Sequence, residues 1–296
     1  MVRLRKRLLG GSTYYYLEHS MRDKGKVRKK ERYVGRALPS DVDGIMQDFV
    51  HEIYNERWRA DIDIIRKNFA KERRIMPRTV REKETRSFAV RFTYDTQKIE
   101  GSTLTRREVA DLLEKGITPK NRPMTDVQEA ELHNKLFHRM LGFKGDLTLQ
   151  LLLDWHWDLF GMTKPDIAGD IRKYRVGITG GKFVPPPPYE VRPMLAEMFG
   201  WYESNKSRIH PVMLAALVHL RIVTIHPFGD GNGRITRLAM NFILNKNKYP
   251  MLDIPYEGRS GYYNSLEKAQ VEKNELAFLQ WFAKKYIKSY SMYLQP

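Results

Sequence analysis

The chain has no cysteine among its 296 residues, which excludes disulfides, thiolate zinc sites and cysteine nucleophiles. Long apolar runs are also missing. The longest, from Pro211 to Ile225, is interrupted by His219 and Arg221 and falls short of the roughly 20 residues that cross a bilayer, so no membrane span is expected. The basic start MVRLRKRLLGG has no apolar stretch of roughly 7 to 15 residues and no small-residue cleavage site, so a cytoplasmic location is expected. Acidic side chains are in deficit, 35 against 52 Lys and Arg, and the net charge of +17 favours an anionic partner: nucleic acid, nucleotide or acidic protein. Much of the excess sits in residues 1–40, which hold twelve basic and three acidic side chains. The 42% hydrophobic content supports a real core, as one large domain or two modest ones.

Along the chain, Thr13 to Leu17 and Lys30 to Val34 read as short strands around an Asp23–Lys26 turn, which predicts a small antiparallel hairpin or three-stranded sheet. From Asp41 the apolar spacing turns helical through Ile45, Phe49, Ile53, Trp58, Ile62 and Ile65, until Pro77 interrupts it. Further helices are predicted from Thr79 to Ile99, after a capping box at Thr105 and Glu108, from Asp126 to Met140 with Thr125 as N-cap, and from Leu147 to Phe160 with Asp146 as N-cap. Between Ile167 and Val191 the glycines and the prolines Pro185 to Pro188 predict a loop with one hairpin. Pro211 to Ile225, a stretch around Ile235 to Ile243, Tyr263 to Ala269 and Glu275 to Tyr290 complete the helical set.

The connection HPFGDGNGRITR, residues 226–237, joins two of these helices and is unusual for a mere connector. Gly231 and Gly233 let backbone N–H groups approach an anion at the positive end of the following helix. Asp230 offers a hard oxygen of the kind Mg2+ binds, and Arg234 and Arg237, three positions apart, share a helix face on which they can neutralise a polyphosphate. His226 beside them can accept a proton near neutral pH. Singly, a His before Pro is usually structural and DGNG is usually a turn.

Together the twelve residues fit the signature HxFx(D/E)GNGRxxR of the Fic family at every defined position, a match expected by chance on the order of 10^-10 per starting point. The stretch from about Phe88 to Phe282 resembles a Fic core. The resemblance implies a mainly α fold with a small β-hairpin flap, beside a short N-terminal antiparallel β element. It divides the chain into a basic β element at 1–40, a helical linker at 41–87 and a core at 88–290 that includes an inhibitory helix at about 88–101. It implies a protein adenylyltransferase that moves AMP from ATP to a Tyr, Thr or Ser hydroxyl of a protein, itself included, with ATP as co-substrate and Mg2+ as cofactor. The base would be His226 and the Mg2+ ligand Asp230. Phe228 would pack into the core, Gly231, Asn232 and Gly233 would hold the α- and β-phosphates, Arg234 the β-phosphate and Arg237 the γ-phosphate. The retained GNG glycines favour nucleotidyl transfer over the phosphorylating relatives.

Two further stretches carry the resemblance. Residues 180–191, GGKFVPPPPYEV, resemble the flap that pairs with an extended target, which points to Gly181, Lys182, Phe183 and Val184. Gly258 to Leu266 resembles the adenine-side element, with Tyr262, Tyr263 and Asn264 as candidates. Upstream, Thr96 to Gly101 (TQKIEG) fits the inhibitory pattern (S/T)xxxE(G/N), which implies that Glu100 pairs with Arg237 and takes the γ-phosphate space. Members with this glutamate also imply AMP removal as a second activity. Competing readings are transfer of another phosphate-containing group, and a nucleic-acid binder that uses residues 1–40 with Tyr14, Tyr15 and Tyr16. The oligomeric state is not legible.

Overall fold

The computed structural model describes residues 2–23, 26–178 and 180–295. Three strands, β1 (Val2–Leu9), β2 (Ser12–Asp23) and β3 (Lys26–Gly35), form an antiparallel sheet in that order. The β1–β2 hairpin turns through Gly10 and Gly11, both at positive φ (55° and 78°), as a two-residue turn matching strand twist requires. The first strand is absent from the sequence reading because its basic residues mask the alternation. The expected turn at Asp23–Lys26 includes residues 24 and 25, which lie outside the described residues.

One face of the sheet is buried: Val2, Leu17 and His19 are nearly inaccessible, and Val2 and Leu17 belong to the main core. On the other face Tyr14, Tyr16 and Tyr33 cluster, and Glu18 and Glu31 sit opposite each other in the ladder. These carboxylates neutralise cations of the same sheet, with Arg7–Glu31 at 2.7 Å, Lys29–Glu18 at 2.9 Å and Lys29–Glu31 at 2.6 Å.

Helices follow. Asp41 caps α1 (Val42–Tyr54) by accepting from Gly44 N at 3.0 Å, and a π-helical turn at Asn55–Arg59 leads into α2 (Ala60–Ile75). After Pro77 comes α3 (Arg78–Ile99), then α4 (Arg106–Lys115), with the capping box of Thr105 and Glu108 formed and Gly116 left-handed at its end. Two predicted caps are wrong. α5 (Met124–Gly142) starts before Thr125, and Asp126 instead accepts from Thr103 N and Oγ1, both at 2.7 Å. α6 (Leu149–Phe160) is capped by Thr148, because Asp146 is drawn to Lys206 at 2.5 Å, Lys246 at 2.9 Å and Tyr202 at 2.8 Å.

The segment from 161 to 187 carries no strand among its described residues, so the flap is an extended loop where a hairpin was expected. Pro185, Pro186 and Pro187 have no N–H to donate to a ladder. Arg172 holds the loop instead, donating to Tyr174 O at 2.9 Å, Pro186 O at 2.6 Å and His226 O at 2.7 Å. The fourth proline, Pro188, is not loop: it opens α7 (Pro188–Asn205), the N1 position where a missing N–H costs nothing. Then come α8 (Pro211–Ile225), α9 (Asn232–Lys246), α10 (Arg259–Val271) and α11 (Glu275–Ser289).

Apolar except for His219, Arg221 and Thr224, α8 is the central element, packed by α7, α9 and α11. A second, small cluster of Val90, Leu104, Val109, Leu112, Val127 and Ala130 clamps α3 between α4 and α5. Polar contacts add to that clamp: Thr93 Oγ1 meets His133 Nδ1 at 2.8 Å, Gln97 donates to Glu129 O at 2.8 Å, and Tyr256 N donates to Asp95 at 2.8 Å. The C-terminal end of α3 is thereby fixed against the start of α9. Among the described residues no helix is long and apolar enough to cross a membrane.

Candidate active site

The loop from His226 to Gly231 owes its shape to its own side chains. His226 ends α8 in the left-handed region (φ 53°, ψ 59°), and Gly231 (φ 77°) turns the chain into α9. Asn232 closes the loop from inside: its Oδ1 accepts from Phe228 N and its Nδ2 donates to Phe228 O, each at 2.9 Å. The side-chain amide is buried and bonded to the loop backbone, and the N–H groups of the first turn of α9 are free of intrahelical partners at that end. Phe228 is buried as expected and stacks on His156 at a centroid distance of 4.0 Å and an angle of 8°. His156 Nε2 donates to Asp230 O at 3.0 Å while its Nδ1 accepts from Gly169 N at 2.9 Å. Burial pushes His156 down to about 4, so it is a neutral spacer under the loop. Its sequence position, on the apolar face of α6, gave no sign of this.

Glycine is required at position 231 by the Phe160 ring and by a positive φ, and at position 233 a side chain would push on the Glu100–Arg237 pair. A Cβ on Gly231 would lie 2.2 Å from Phe160 Cε2, and one on Gly233 would lie 2.2 Å from Glu100 Oε1 and 2.9 Å from Arg237 Nη1. The Glu100 carboxylate is thus seated directly over the start of α9, where an anion bound to the helix end would lie.

Arg237 is the buried hub. It donates to Thr96 Oγ1 at 2.7 Å, to Thr96 O at 3.1 Å and to Glu100 Oε1 at 2.7 Å. Burial works against its charge, and Glu100 outweighs burial to raise its pKa further. Thr96, Glu100 and Gly101 stand at the end of α3 as the TQKIEG reading requires, with Gly101 at φ 99°.

The second arginine is also occupied. Arg234 donates to Glu129, to Gln97 Oε1 at 3.1 Å and to Asp230 Oδ1 at 3.1 Å, and lies over the Phe160 ring. Lys164 spans Asp230 Oδ2 at 2.6 Å and Glu129 Oε1 at 2.9 Å, so two carboxylates and two cations close a ring. Burial would raise the Asp230 carboxyl, but Arg234 and Lys164 prevail and lower it to about 2. Sequence reasoning missed Gln97, Glu129 and Lys164. Glu129 had only a weak signal, an acid four positions before His133 on α5.

His226 is partly buried. Its Nδ1 faces Val223 O at 3.2 Å, which makes Nδ1 the protonated nitrogen and leaves Nε2 with a lone pair. Burial lowers its pKa, which keeps the ring neutral near pH 7.

The remaining candidates divide. Tyr262 is fully buried, its hydroxyl 3.0 Å from His219 Nε2 and also hydrogen-bonded to Arg237. Tyr263 is 44% exposed with its hydroxyl 3.3 Å from Ile99 O, next to Glu100 in the chain, and Asn264 is exposed. In the flap Gly181, Lys182 and Val184 are exposed and Phe183 half-buried, and Lys182 N donates to Glu267 at 2.8 Å. Among the described residues no group of three or more His, Asp or Glu could enclose a metal ion, so Asp230 is the one charged oxygen donor that the loop offers.

Comparison with known proteins agrees with this geometry. A family model described as Fic/DOC family matches residues 146–244. The protein adenylyltransferase Fic of Drosophila melanogaster is 33% identical over 205 residues, which cover 68% of this chain and 41% of that protein. The chain therefore spans about two fifths of the length of the curated relatives it matches. A Fic domain containing signaling protein from Bacteroides thetaiotaomicron has a TM-score of 0.71 at 27% identity, covering 79% of this chain and 95% of its own. Fic-1 from C. elegans has a TM-score of 0.67 at 26% identity, covering 86% and 76%. With the loop, the arginines and the helical frame in place, this chain belongs to the Fic/DOC family.

Proposed function

We propose that the chain transfers AMP from ATP to a hydroxyl of a protein, itself or another, and that Glu100 holds this activity in check. The observation that carries the reading is the pairing of a proton-accepting His226 Nε2 with an anion-ready helix start whose nearest occupant is the Glu100 carboxylate. The names of the Drosophila relatives support the transferred group.

In this reading His226 Nε2 takes the proton of the target hydroxyl as its oxygen attacks the α-phosphorus of ATP. The bond from that phosphorus to the bridging oxygen breaks and pyrophosphate leaves with the electron pair. Catalysis is then mostly alignment and charge neutralisation. Arg237 takes the γ-phosphate once Glu100 gives it up, Arg234 takes the β-phosphate, and the N–H groups opening α9 take the oxygens nearest the reacting centre. Asp230 suits Mg2+: it is a hard donor held ionised far below neutral pH, and Mg2+ uses one or two carboxylates and completes its shell with phosphate and water. Bound there, the ion would supply charge neutralisation to the phosphates. The exposed flap residues 181–184 would align an extended target strand, and exposed Tyr263 and Asn264 would face the base.

The same carboxylate, one quarter exposed, can orient a water and so support AMP removal. The nucleic-acid reading is less favoured, since Glu18 and Glu31 neutralise the outward cations Arg7 and Lys29. Incubation with ATP labelled at the α or the γ position tests the proposal: label is expected from the α position only, and is expected to vanish in His226→Ala. Transfer of γ label would replace AMP transfer by phosphorylation.

A further inference from the structure

The ring Glu129–Lys164–Asp230–Arg234 contains one member with no role in the scheme above. Lys164 lies in the turn after α6, and its ammonium stands 2.6 Å from one oxygen of Asp230 and 2.9 Å from one oxygen of Glu129. Its side chain is one third exposed, so it reaches the ring from the solvent side, whereas Arg234 reaches it from the buried side at 3% exposure. Asp230 is thereby fully used: Oδ1 accepts from Gly231 N at 2.5 Å and Arg234 at 3.1 Å, and Oδ2 accepts from Lys164. An ion approaching Asp230 from the open side meets an ammonium already bonded to its ligand.

We propose that Lys164 is the resident cation of Asp230, a positioning residue that holds the carboxylate in place when no divalent ion is bound and that such an ion must displace. The inference rests on the assignment of Asp230 as the divalent-ion ligand. Three features carry it. Oδ2 has no other partner among the described residues, so Lys164 occupies the position left for an ion. The second carboxylate, Glu129, gives the displaced ammonium a place to stay, so the exchange strands no charge. The ammonium also stands 5.0 Å from the Phe160 ring centroid, a second contact that keeps it near. Lys164 thus sets the divalent-ion concentration at which the site works, independently of Glu100, which acts on Arg237.

The test uses Mn2+ as the probe, titrated into the full chain without nucleotide and followed by electron paramagnetic resonance, so transfer chemistry plays no part. Lys164→Met keeps the aliphatic stem and removes the charge; Lys164→Arg keeps the charge. A part-buried hydrogen bond between ionised groups has to be broken for the ion to enter, so Lys164→Met is expected to bind Mn2+ about tenfold more tightly than the unaltered chain. Lys164→Arg is expected to stay close to it. Asp230→Asn in the Lys164→Met background identifies the ligand and is expected to abolish the gain. Equal or weaker Mn2+ binding by Lys164→Met overturns the proposal, as does no binding by any of the chains. A gain that survives Asp230→Asn refutes instead the assignment of Asp230 as ligand, and absent AMP transfer with the predicted Mn2+ shifts refutes only the activity.

Discussion

Replacing Glu100 by glycine removes a carboxylate from one of the most buried cations in the protein. Arg237 is 1% exposed, and the neutral partners Thr96, through its hydroxyl and carbonyl, and Tyr262 would remain. Breaking a buried pair from one side costs about 3 to 5 kcal/mol; Glu100 is 25% exposed and Thr96 keeps its bonds, so about 1 to 3 kcal/mol is the fitting range here. The backbone adds a smaller cost, roughly 0.5 to 1 kcal/mol, because Glu100 ends α3 at φ −90°, ψ 7°, where glycine relieves no strain and only loosens the unfolded chain. For a chain of this size the loss corresponds to a fall in Tm of roughly 2 to 4 °C per kcal/mol. The same quantity is what ATP has to overcome in the unaltered chain to place its γ-phosphate on Arg237. Removing it is expected to raise labelling from α-labelled ATP by roughly 5- to 150-fold, each 1.4 kcal/mol being tenfold. Two readouts belong together: incorporation of label, and thermal unfolding with and without ATP and Mg2+. Glu100→Gly is expected to melt lower when nucleotide-free and to gain more from ATP than the unaltered chain does, since the phosphate supplies the missing anion. A variant that melts lower yet labels no better would refute the inhibitory role and leave Glu100 as a structural counter-ion.

Two other expectations concern stability. Gly231→Ala places a methyl 2.2 Å from Phe160 at φ 77°, so it is expected to cost roughly 2 to 3 kcal/mol and to abolish transfer; urea unfolding within 0.5 kcal/mol of the unaltered chain would show that the loop yields. Asp253 is raised to about 7 by burial and by Asp95, whose carboxyl it also meets in a hydrogen bond. Its folded state holds a proton that the unfolded chain has lost, so its contribution is present below the ordinary carboxyl pKa of about 3.9 and is lost as pH rises towards 7. The buried histidines His133, His156 and His219, lowered to between about 3 and 4, act with the opposite sign over much of that range, so only a difference isolates the aspartate. Asp253→Asn is expected to gain stability relative to the unaltered chain between pH 5 and 7.5; a constant difference across that range refutes it.

What could be read in advance follows from where the determining contacts lie in the chain. HPFGDGNGRITR was legible because loop, helix start and both arginines are contiguous, and the Thr105–Glu108 box because a cap is a contact over three residues. Thr125 and Asp146 misled for the complementary reason. Each looks like an N-cap by sequence, but α5 already starts at Met124, where Asp126 is held by Thr103 from 23 residues away, and Asp146 is claimed by Lys206 and Lys246. The flap was misread in form because prolines report what a segment cannot do, not what holds it; Arg172, its actual anchor, has no local signature. Lys164 was invisible in the same way and Glu129 nearly so, since the ring closes across 105 residues between Glu129 and Arg234 and 66 between Lys164 and Asp230.

That ring bears on why removing Glu100 alone need not open the site fully. Glu100 neutralises Arg237, and Glu129 neutralises Arg234 through a contact in which Glu129 is 8% and Arg234 is 3% exposed. The second pair is the more deeply buried, so it is the less screened of the two. It also contains Asp230, so a nucleotide with its divalent ion has to supply anions to Arg234 and a cation to Asp230 at the same time. Phosphates that reach Arg234 before an ion reaches Asp230 meet that carboxylate's charge in a low-dielectric setting, which costs several kcal/mol. The two therefore bind best as one neutralising unit, and ATP affinity should depend steeply on the divalent-ion concentration even in Glu100→Gly. This separates the two controls physically: Glu100 decides whether the γ-phosphate is seated, and the ring decides that nucleotide and cation arrive together.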